Sequence, residues 1–434
     1  MVVILSFFAL FLSLGSLTRG SQSGPDDESY LNSRIKSVVV LVLENRSFDT
    51  VAGGFSYSSD IDNLVNKRNY CNPANISAST GGTVCATPTL PNVSVDDPSH
   101  SISGNNMEVF GTFHPSDSSP ETMQGFVTAQ ALTYNVNVSL AGQTIQYWNE
   151  WDIPVLRTLA QNYVLFDKWF CAVPGPTNPN RAYLTSGTSH GHGKNDLAFN
   201  VSAIPQRSIF QQLSENGISW INYSNTSGFL PDALFYSWTA SSGATQTNVK
   251  TLGQFYMDAR AGTLPQFTYI NPECCKLQSF HPSSSAYDGQ IFLKTIYEAL
   301  RSSPQWDEML FIITFDENGG FGDHVPPPVG VPPGDDLTYT EIAPDGKPVT
   351  FDFTRLGVRV PALLVSPWVG EGLIEHEGQN NGGVYTHTSI PAFLANLWGL
   401  DYLTPRVEFS STFEHLIQEE KRDTIQTLPM PHVF

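Results

Sequence analysis

The sequence predicts an α/β protein, a three-layer α/β/α sandwich around a mostly parallel central sheet. Three observations carry this. Short apolar runs of strand length recur along the chain, helix-like segments lie between several of them, and the first run, Val38 to Leu43, is unbroken rather than alternating. Strands alternating with helices give a parallel sheet covered on both faces, and a strand buried on both faces has no polar side to show.

In chain order the strand-like runs are Val38–Leu43, Tyr163–Phe166, Ser219–Tyr223, Phe267–Asn271, Met309–Phe315 and Val360–Ser366. The clearest helix runs from Asp288 to Arg301, where Ile291, Phe292, Thr295, Ile296, Ala299 and Leu300 share a face. A second runs from about Ser389 to Trp398. Two stretches read as loop insertions: about 66–125, rich in Pro, Ser, Thr, Asn and Gly, and Val325–Lys347, rich in Pro and Gly. There is no internal repeat. Ligands in this architecture sit at the carboxyl ends of strands.

Residues 1–20 are apolar and end in small residues, with Thr18 and Gly20 placed for cleavage before Ser21. They read as a secretory signal, with an uncleaved anchor as the alternative, and residues 21–434 are expected to form a single catalytic domain. Secretion is the expected localisation, and no other stable membrane span is expected. The net charge is −19 and only 15% of residues are charged. That balance argues against a nucleic-acid partner and against anionic membrane surfaces.

Asn45-Arg46-Ser47 is a formal glycosylation acceptor, as are the triplets at Asn75, Asn92, Asn137, Asn200, Asn222 and Asn225. Of the five cysteines, Cys71 and Cys85 suit a local disulfide, and Cys171 is a candidate to pair with Cys274 or Cys275, leaving one thiol over.

Polar residues cluster where two of the runs stop. The first ends at Glu44-Asn45 and another at Asp316-Glu317-Asn318-Gly319-Gly320. Three carboxylates and an amide converging from strand ends suit a hard divalent cation; solvent-facing strand caps are the plainer reading. Between them lies Val173-Pro-Gly-Pro-Thr-Asn-Pro-Asn-Arg181, a rigid turn around Thr177 ahead of a possible helix. A hydroxyl at a helix N-terminus meets unpaired N–H groups and the positive dipole end, a setting for attack on phosphate, or for ordinary capping.

Taken in order, ENRSFD (Glu44–Asp49), VPGPTNPNR (Val173–Arg181), DENGGFGDHVPPP (Asp316–Pro328), GVRVPALLVSPW (Gly357–Trp368) and HTSI (His387–Ile390) resemble the phosphoesterase family of phospholipases C and acid phosphatases, within the alkaline phosphatase-like superfamily. The resemblance spans about Lys36 to Leu400. It implies one divalent metal ion, Ca, Mg, Mn or Zn, held by Glu44, Asn45, Thr177, Asp316 and Glu317. It implies Thr177 as nucleophile through a phosphothreonine intermediate, and His100 and His281 as phosphate-contacting residues. Phe280 stands where relatives often carry Glu. His324 and His387 fall in family motifs without an assigned role.

A +2 ion against Glu44, Asp316 and Glu317 leaves one negative charge, so His100 and His281 are needed as cationic partners for phosphate, and one of them can protonate the leaving alcohol. An acidic-to-neutral pH optimum follows. The expected function is a phospholipase C acting on phosphatidylcholine-type diesters, with an acid phosphatase acting on small phosphate monoesters as the alternative. Two readings come from other classes. Gly187-Thr188-Ser189-His190-Gly191 matches a G-x-S-x-G elbow and would make Ser189 the nucleophile of a serine esterase. The chain could also be a non-catalytic extracellular binding glycoprotein.

Overall fold

The computed structural model describes residues 25–433 except 68, 79–80, 92–96, 226–229, 274–277 and 283. Residues 1–20, expected to be a secretory signal, Asn92 and the Cys274–Cys275 pair therefore lie outside the described residues.

Eight strands form the central sheet: β1 (Ser37–Leu43), β2 (Val164–Phe166), β3 (Trp220–Ser224), β4 (Val249–Thr251), β5 (Phe267–Asn271), β6 (Met309–Phe315), β7 (Ala362–Val365) and β8 (Leu373–Glu375). Their order is β8-β2-β7-β6-β1-β5-β3-β4. Every pairing is parallel except those of β7, which runs antiparallel to both β6 and β2. Each of the six strand-like runs forms a strand of this sheet. The two strands the sequence did not announce, β4 and β8, are three-residue edge strands with no apolar run, half-exposed or exposed throughout.

At the centre, β1 and β6 are buried along their whole length, which explains why both read as continuous apolar sequence. The helices used below are α1 (Ile102–Phe110), α2 (Phe126–Tyr134), α3 (Pro154–Asn162), α4 (Thr177–Ser186), α5 (Ala286–Arg301) and α6 (Ser389–Trp398). Among these helices α3 packs with α5, α4 with α6, and α1 with α2; packed helices of this kind cover the faces of a sheet.

The buried face of α5 differs from the expected one. It consists of Ala286, Gly289, Gln290, Phe292, Leu293, Ile296, Tyr297 and Leu300, while Thr295 is exposed and Ile291 and Ala299 are only half-buried. Tyr297 can go inside because its hydroxyl meets Tyr163 (2.6 Å) and the carbonyl of Ile425 (2.5 Å), so a polar tip costs little there.

The 66–125 stretch is more than loop. It holds α1 and a hairpin of Cys71–Pro73 with Thr83–Cys85, closed by a Cys71–Cys85 disulfide. The 325–347 stretch leads into a second hairpin, Tyr339–Ile342 with Pro348–Phe351. Cys171 does not pair with Cys274 or Cys275: it is a free, buried thiol 3.4 Å from the carbonyl of Val173.

Candidate functional site

β1 and β6 end in step. Leu43 pairs with Phe315 at the last register position, so Glu44 and Asp316 leave the sheet side by side. The N–H of Asp316 donates to Leu43 O at 2.9 Å, and the N–H of Asn45 donates to Asp316 Oδ1 at 3.1 Å. Asn45 is held at φ 54°, a left-handed conformation that Asn adopts more readily than most residues.

The glycines of Asp316-Glu317-Asn318-Gly319-Gly320 let the second turn close on the first. A Cβ on Gly319 would lie 2.6 Å from Asn45 O, and one on Gly320 would lie 2.2 Å from Ser99 O, next to His100. Both glycines have positive φ, which also favours Gly there.

Helix α4 starts at Thr177. Four residues on, and therefore on the same face, Arg181 points into the gap between the strand ends. It donates to Glu44 Oε1 (2.9 Å), Asp316 Oδ2 (3.0 Å), Asp232 Oδ2 (3.3 Å) and Val42 O (3.2 Å). Thr177, Asn178, Arg181, Glu44, Asp232 and Asn271 line one small cavity. Arg181 and Asp232 enter as a formally cancelling pair, while Asp97, beside Asn45 and His281, adds a carboxylate that the sequence reading did not count: with a divalent ion the site carries two net negative charges.

Burial raises the Glu44 carboxyl to about 8, with Asp316 adding to the rise and Arg181 opposing it. Burial likewise pushes up Asp316 and Glu317. Three crowded buried carboxyls are short of positive charge. Two oxygens in this cluster, Asn45 Oδ1 and Glu317 Oε1, are buried and accept no hydrogen bond. Unsatisfied buried acceptors are rare, and a set of oxygen donors lacking hydrogen partners has the chemistry to hold a hard cation.

Both candidate histidines reach this place. His100 Nδ1 lies 2.6 Å from Pro98 O and so carries a proton, which leaves Nε2 facing Glu317 Oε1 at 3.7 Å. His281 Nδ1 is 3.0 Å from Pro282 O, and its Nε2 is 3.8 Å from Asp97 Oδ1, which also accepts from Asn45 Nδ2 at 3.4 Å. The His281 loop is anchored on β1, because the N–H of Glu44 donates to Ser279 O at 2.8 Å. Phe280 is fully buried against Phe315, ring centroids 5.5 Å apart, so this position serves the core.

The two unassigned histidines are structural. His387 is buried; its Nε2 donates to Asp316 O at 2.5 Å and its Nδ1 accepts from Trp169 Nε1 at 3.2 Å. It is therefore a neutral ring steadying the backbone of Asp316, and burial lowers it to about 4. His324 donates from both ring nitrogens, to Asp49 (2.7 Å) and Asp62 (3.0 Å).

Asp49, Asp323 and His324 form the one group of three potential metal ligands, among the described residues, whose ligand atoms all lie within 4.8 Å of each other. Glu44, Asp316 and Glu317 are not drawn that close, since Arg181 spans two of them. Arg359 already fills the tighter group, donating to Asp323 Oδ1 (2.9 Å) and Asp49 Oδ1 (3.2 Å). Its members satisfy one another, so it reads as an ion-pair lock tying the turns after β1 and β6 to the segment before β7.

The elbow reading of Ser189 fails on context. Gly187 caps the end of α4 at φ 77°, so a helix rather than a strand leads into the turn, and Ser189 Oγ donates to His192 O at 2.7 Å. Asn45 and Asn222 are both fully buried, which excludes two acceptor triplets from glycosylation in the folded chain; Asn75, Asn137 and Asn200 are exposed. Sequence reasoning missed four site residues, of which Asp232 carried no local signal. Arg181 and Asn178 sit inside the quoted Thr177 motif, and Asp97 precedes His100. Asn178 is buried and its Nδ2 has no partner.

A profile of the phosphoesterase family matches residues 35–401. The chain belongs to the phosphoesterase family. Among its relatives, non-specific phospholipase C3 of Arabidopsis thaliana is 36% identical over 413 residues, covering 92% of this chain and 76% of its own. Non-specific phospholipase C6 of the same plant is 37% identical over 450 residues, covering 97% and 80%. The non-hemolytic phospholipase C of Burkholderia pseudomallei (strain K96243) is 28% identical over 405 residues, covering 83% and 54%. A solved protein of the alkaline phosphatase superfamily from Vibrio parahaemolyticus matches with a TM-score of 0.36 at 12% identity, over 60% of this chain and 63% of that one. This phosphoesterase is thus a hydrolase of phosphoester bonds, in a family that is generally metal-dependent. Among the described residues, no helix is long and apolar enough to cross a membrane.

Proposed function

We propose that this phosphoesterase is a secreted phospholipase C that cleaves phosphatidylcholine-type diesters, with Thr177 as nucleophile. The observation that carries the reading is the placement of Thr177 at the start of α4, in one cavity with Glu44 and Arg181, beside a strand-end cluster whose Asn45 Oδ1 and Glu317 Oε1 lack donors. The most similar relatives quoted above carry phospholipase C names, which favours the diester over the monoester.

Glu44, Asn45, Thr177, Asp316 and Glu317 are the residues that would hold a divalent cation. Such an ion lowers the pKa of a neighbouring hydroxyl and offsets the charge of phosphate oxygens. Arg181 keeps Glu44 and Asp316 in place through directional hydrogen bonds. The Thr177 hydroxyl gives its proton to water as its oxygen bonds phosphorus, the bond to the glycerol oxygen breaks, and a protonated His100 or His281 passes a proton to that oxygen to release diacylglycerol. The threonine then carries phosphorylcholine until water displaces it. Asn178 Nδ2 is the cluster's buried donor without a partner, suited to a non-bridging phosphoryl oxygen. The Met1–Gly20 leader and the Cys71–Cys85 disulfide support a secreted protein.

The test compares turnover of the nitrophenol ester of phosphorylcholine with that of nitrophenyl phosphate. Phospholipase C activity predicts preference for the diester and its loss in chelator; a strong monoester preference would make the protein a phosphatase instead.

A further inference from the structure

Residues 122–149 contain no Asp, Glu, Lys, Arg or His, in a chain with a net charge of −19. At the chain's average of 15% charged residues, a stretch of this length would ordinarily carry several. Part of the segment is exposed, so burial alone does not explain its neutrality. The first half of α2 is inside, Phe126 through Gln130 being buried throughout. Its second half and the short helix that follows expose Leu132 (52%), Tyr134 (50%) and Val138 (42%), with polar uncharged Thr and Asn between them.

This surface adjoins the candidate site. Gln130 Oε1 accepts from the N–H of Ser99 at 3.1 Å, and Thr133 Oγ1 lies 3.4 Å from Ser99 Oγ. Ser99 immediately precedes His100. The helix that exposes Leu132 and Tyr134 is thus fastened to the segment that delivers a site histidine.

From these observations we infer that α2 and Val138 form a docking surface for a zwitterionic phospholipid bilayer, one that seats the site over its lipid substrate. The choice of partner rests on the proposed phospholipase function and on charge. Apolar side chains on a segment with no charged residue of its own enter the headgroup region at little cost of desolvating ions, Asp97 and Glu108 being the acidic groups near enough to act on Tyr134. The acidic remainder of the protein is repelled by anionic lipid but not by a surface of zero net charge.

The experiment measures partitioning of the full-length Thr177→Ala protein, which leaves the lipid intact, onto phosphatidylcholine vesicles by flotation. Alongside, proteins retaining Thr177 are assayed on those vesicles and on the soluble nitrophenol ester of phosphorylcholine. Leu132→Asp/Val138→Asp changes exposed positions only. It is expected to lower vesicle partitioning and vesicle hydrolysis by about tenfold or more, leaving turnover of the soluble ester within about twofold. Leu132→Trp is expected to increase partitioning.

Partitioning unchanged by both variants overturns the docking surface. So does a glycan found on Asn137, which would hold this face off the bilayer, or a dimer in ultracentrifugation that the double variant dissolves without altering partitioning. Should the wild type cleave neither substrate while the double variant still loses partitioning, the phospholipase reading fails and the docking surface stands.

Discussion

Leu43 and Phe315 are register partners at the carboxyl ends of two adjacent parallel strands, and the residues that follow them, Glu44 and Asp316, are bridged by the one guanidinium of Arg181. Sheet register starts the two distant motifs side by side, and Gly319 and Gly320 let the turns that follow close on each other. The consequences below follow from what surrounds that point.

Asn45 and Glu317 each present a buried oxygen without a donor. Asn45→Ala and Glu317→Gln should each weaken divalent-cation binding by about tenfold or more, or roughly 1.4 kcal/mol, as read by calorimetric titration of chelator-treated protein. Because Asn45 is buried, Asn45→Ala should leave the glycan mass unchanged. Unaltered cation affinity in both variants would remove these residues from the site.

Arg181 is buried among Glu44, Asp316 and Asp232. Arg181→Met leaves three buried carboxylates without their cation, at a cost of about 3–5 kcal/mol, measured by urea unfolding in chelator. A loss under about 1 kcal/mol would mean that the carboxylates find other partners.

Asn178→Ala should reduce kcat by about 10²-fold, as removal of a phosphoryl-oxygen donor does, and weaken vanadate inhibition while cation affinity is unchanged. Equal losses in cation affinity and kcat would instead make Asn178 part of the scaffold.

The pH dependence of stability should carry the signature of His324. Burial opposes its charge, but Asp49 and Asp62 outweigh that and push it up to about 10. A group raised in the folded state stabilises fully below its unfolded value of about 6.5, and the contribution fades as pH rises through about 10. Urea unfolding from pH 6 to 10.5 should show a loss on the order of 3 kcal/mol that is absent in His324→Gln. A parallel decline in both proteins would assign the effect elsewhere.

The sequence revealed what depends on local pattern. Fully buried strands such as Val38–Leu43 and Met309–Phe315 announce themselves because both faces are apolar, and the polar residues ending them stood out against that background. Thr177 was legible from the prolines and glycine that fix its turn. Arg181 was not, although it lay within a quoted motif, because its importance comes from long-range pairing with Glu44, Asp316 and Asp232 that no spacing encodes. The roles of His324 and His387 were hidden for the same reason: one is defined by Asp49 and Asp62, the other by a backbone carbonyl. The three-residue β4 and β8 owe their strand form to neighbouring strands, and the inward face of α5 was misjudged because a buried tyrosine depends on hydroxyl partners supplied from elsewhere.

The central claim is that Thr177 attacks phosphorus. Rapid acid quenching during turnover of the nitrophenol ester of phosphorylcholine, followed by mass spectrometry of the peptide containing residues 173–181, tests it most directly. The account predicts one phosphorylcholine group on Thr177, and no turnover in Thr177→Ala. An unmodified peptide together with a fully active Thr177→Ala enzyme, or the modification on another residue such as Ser189, would contradict it.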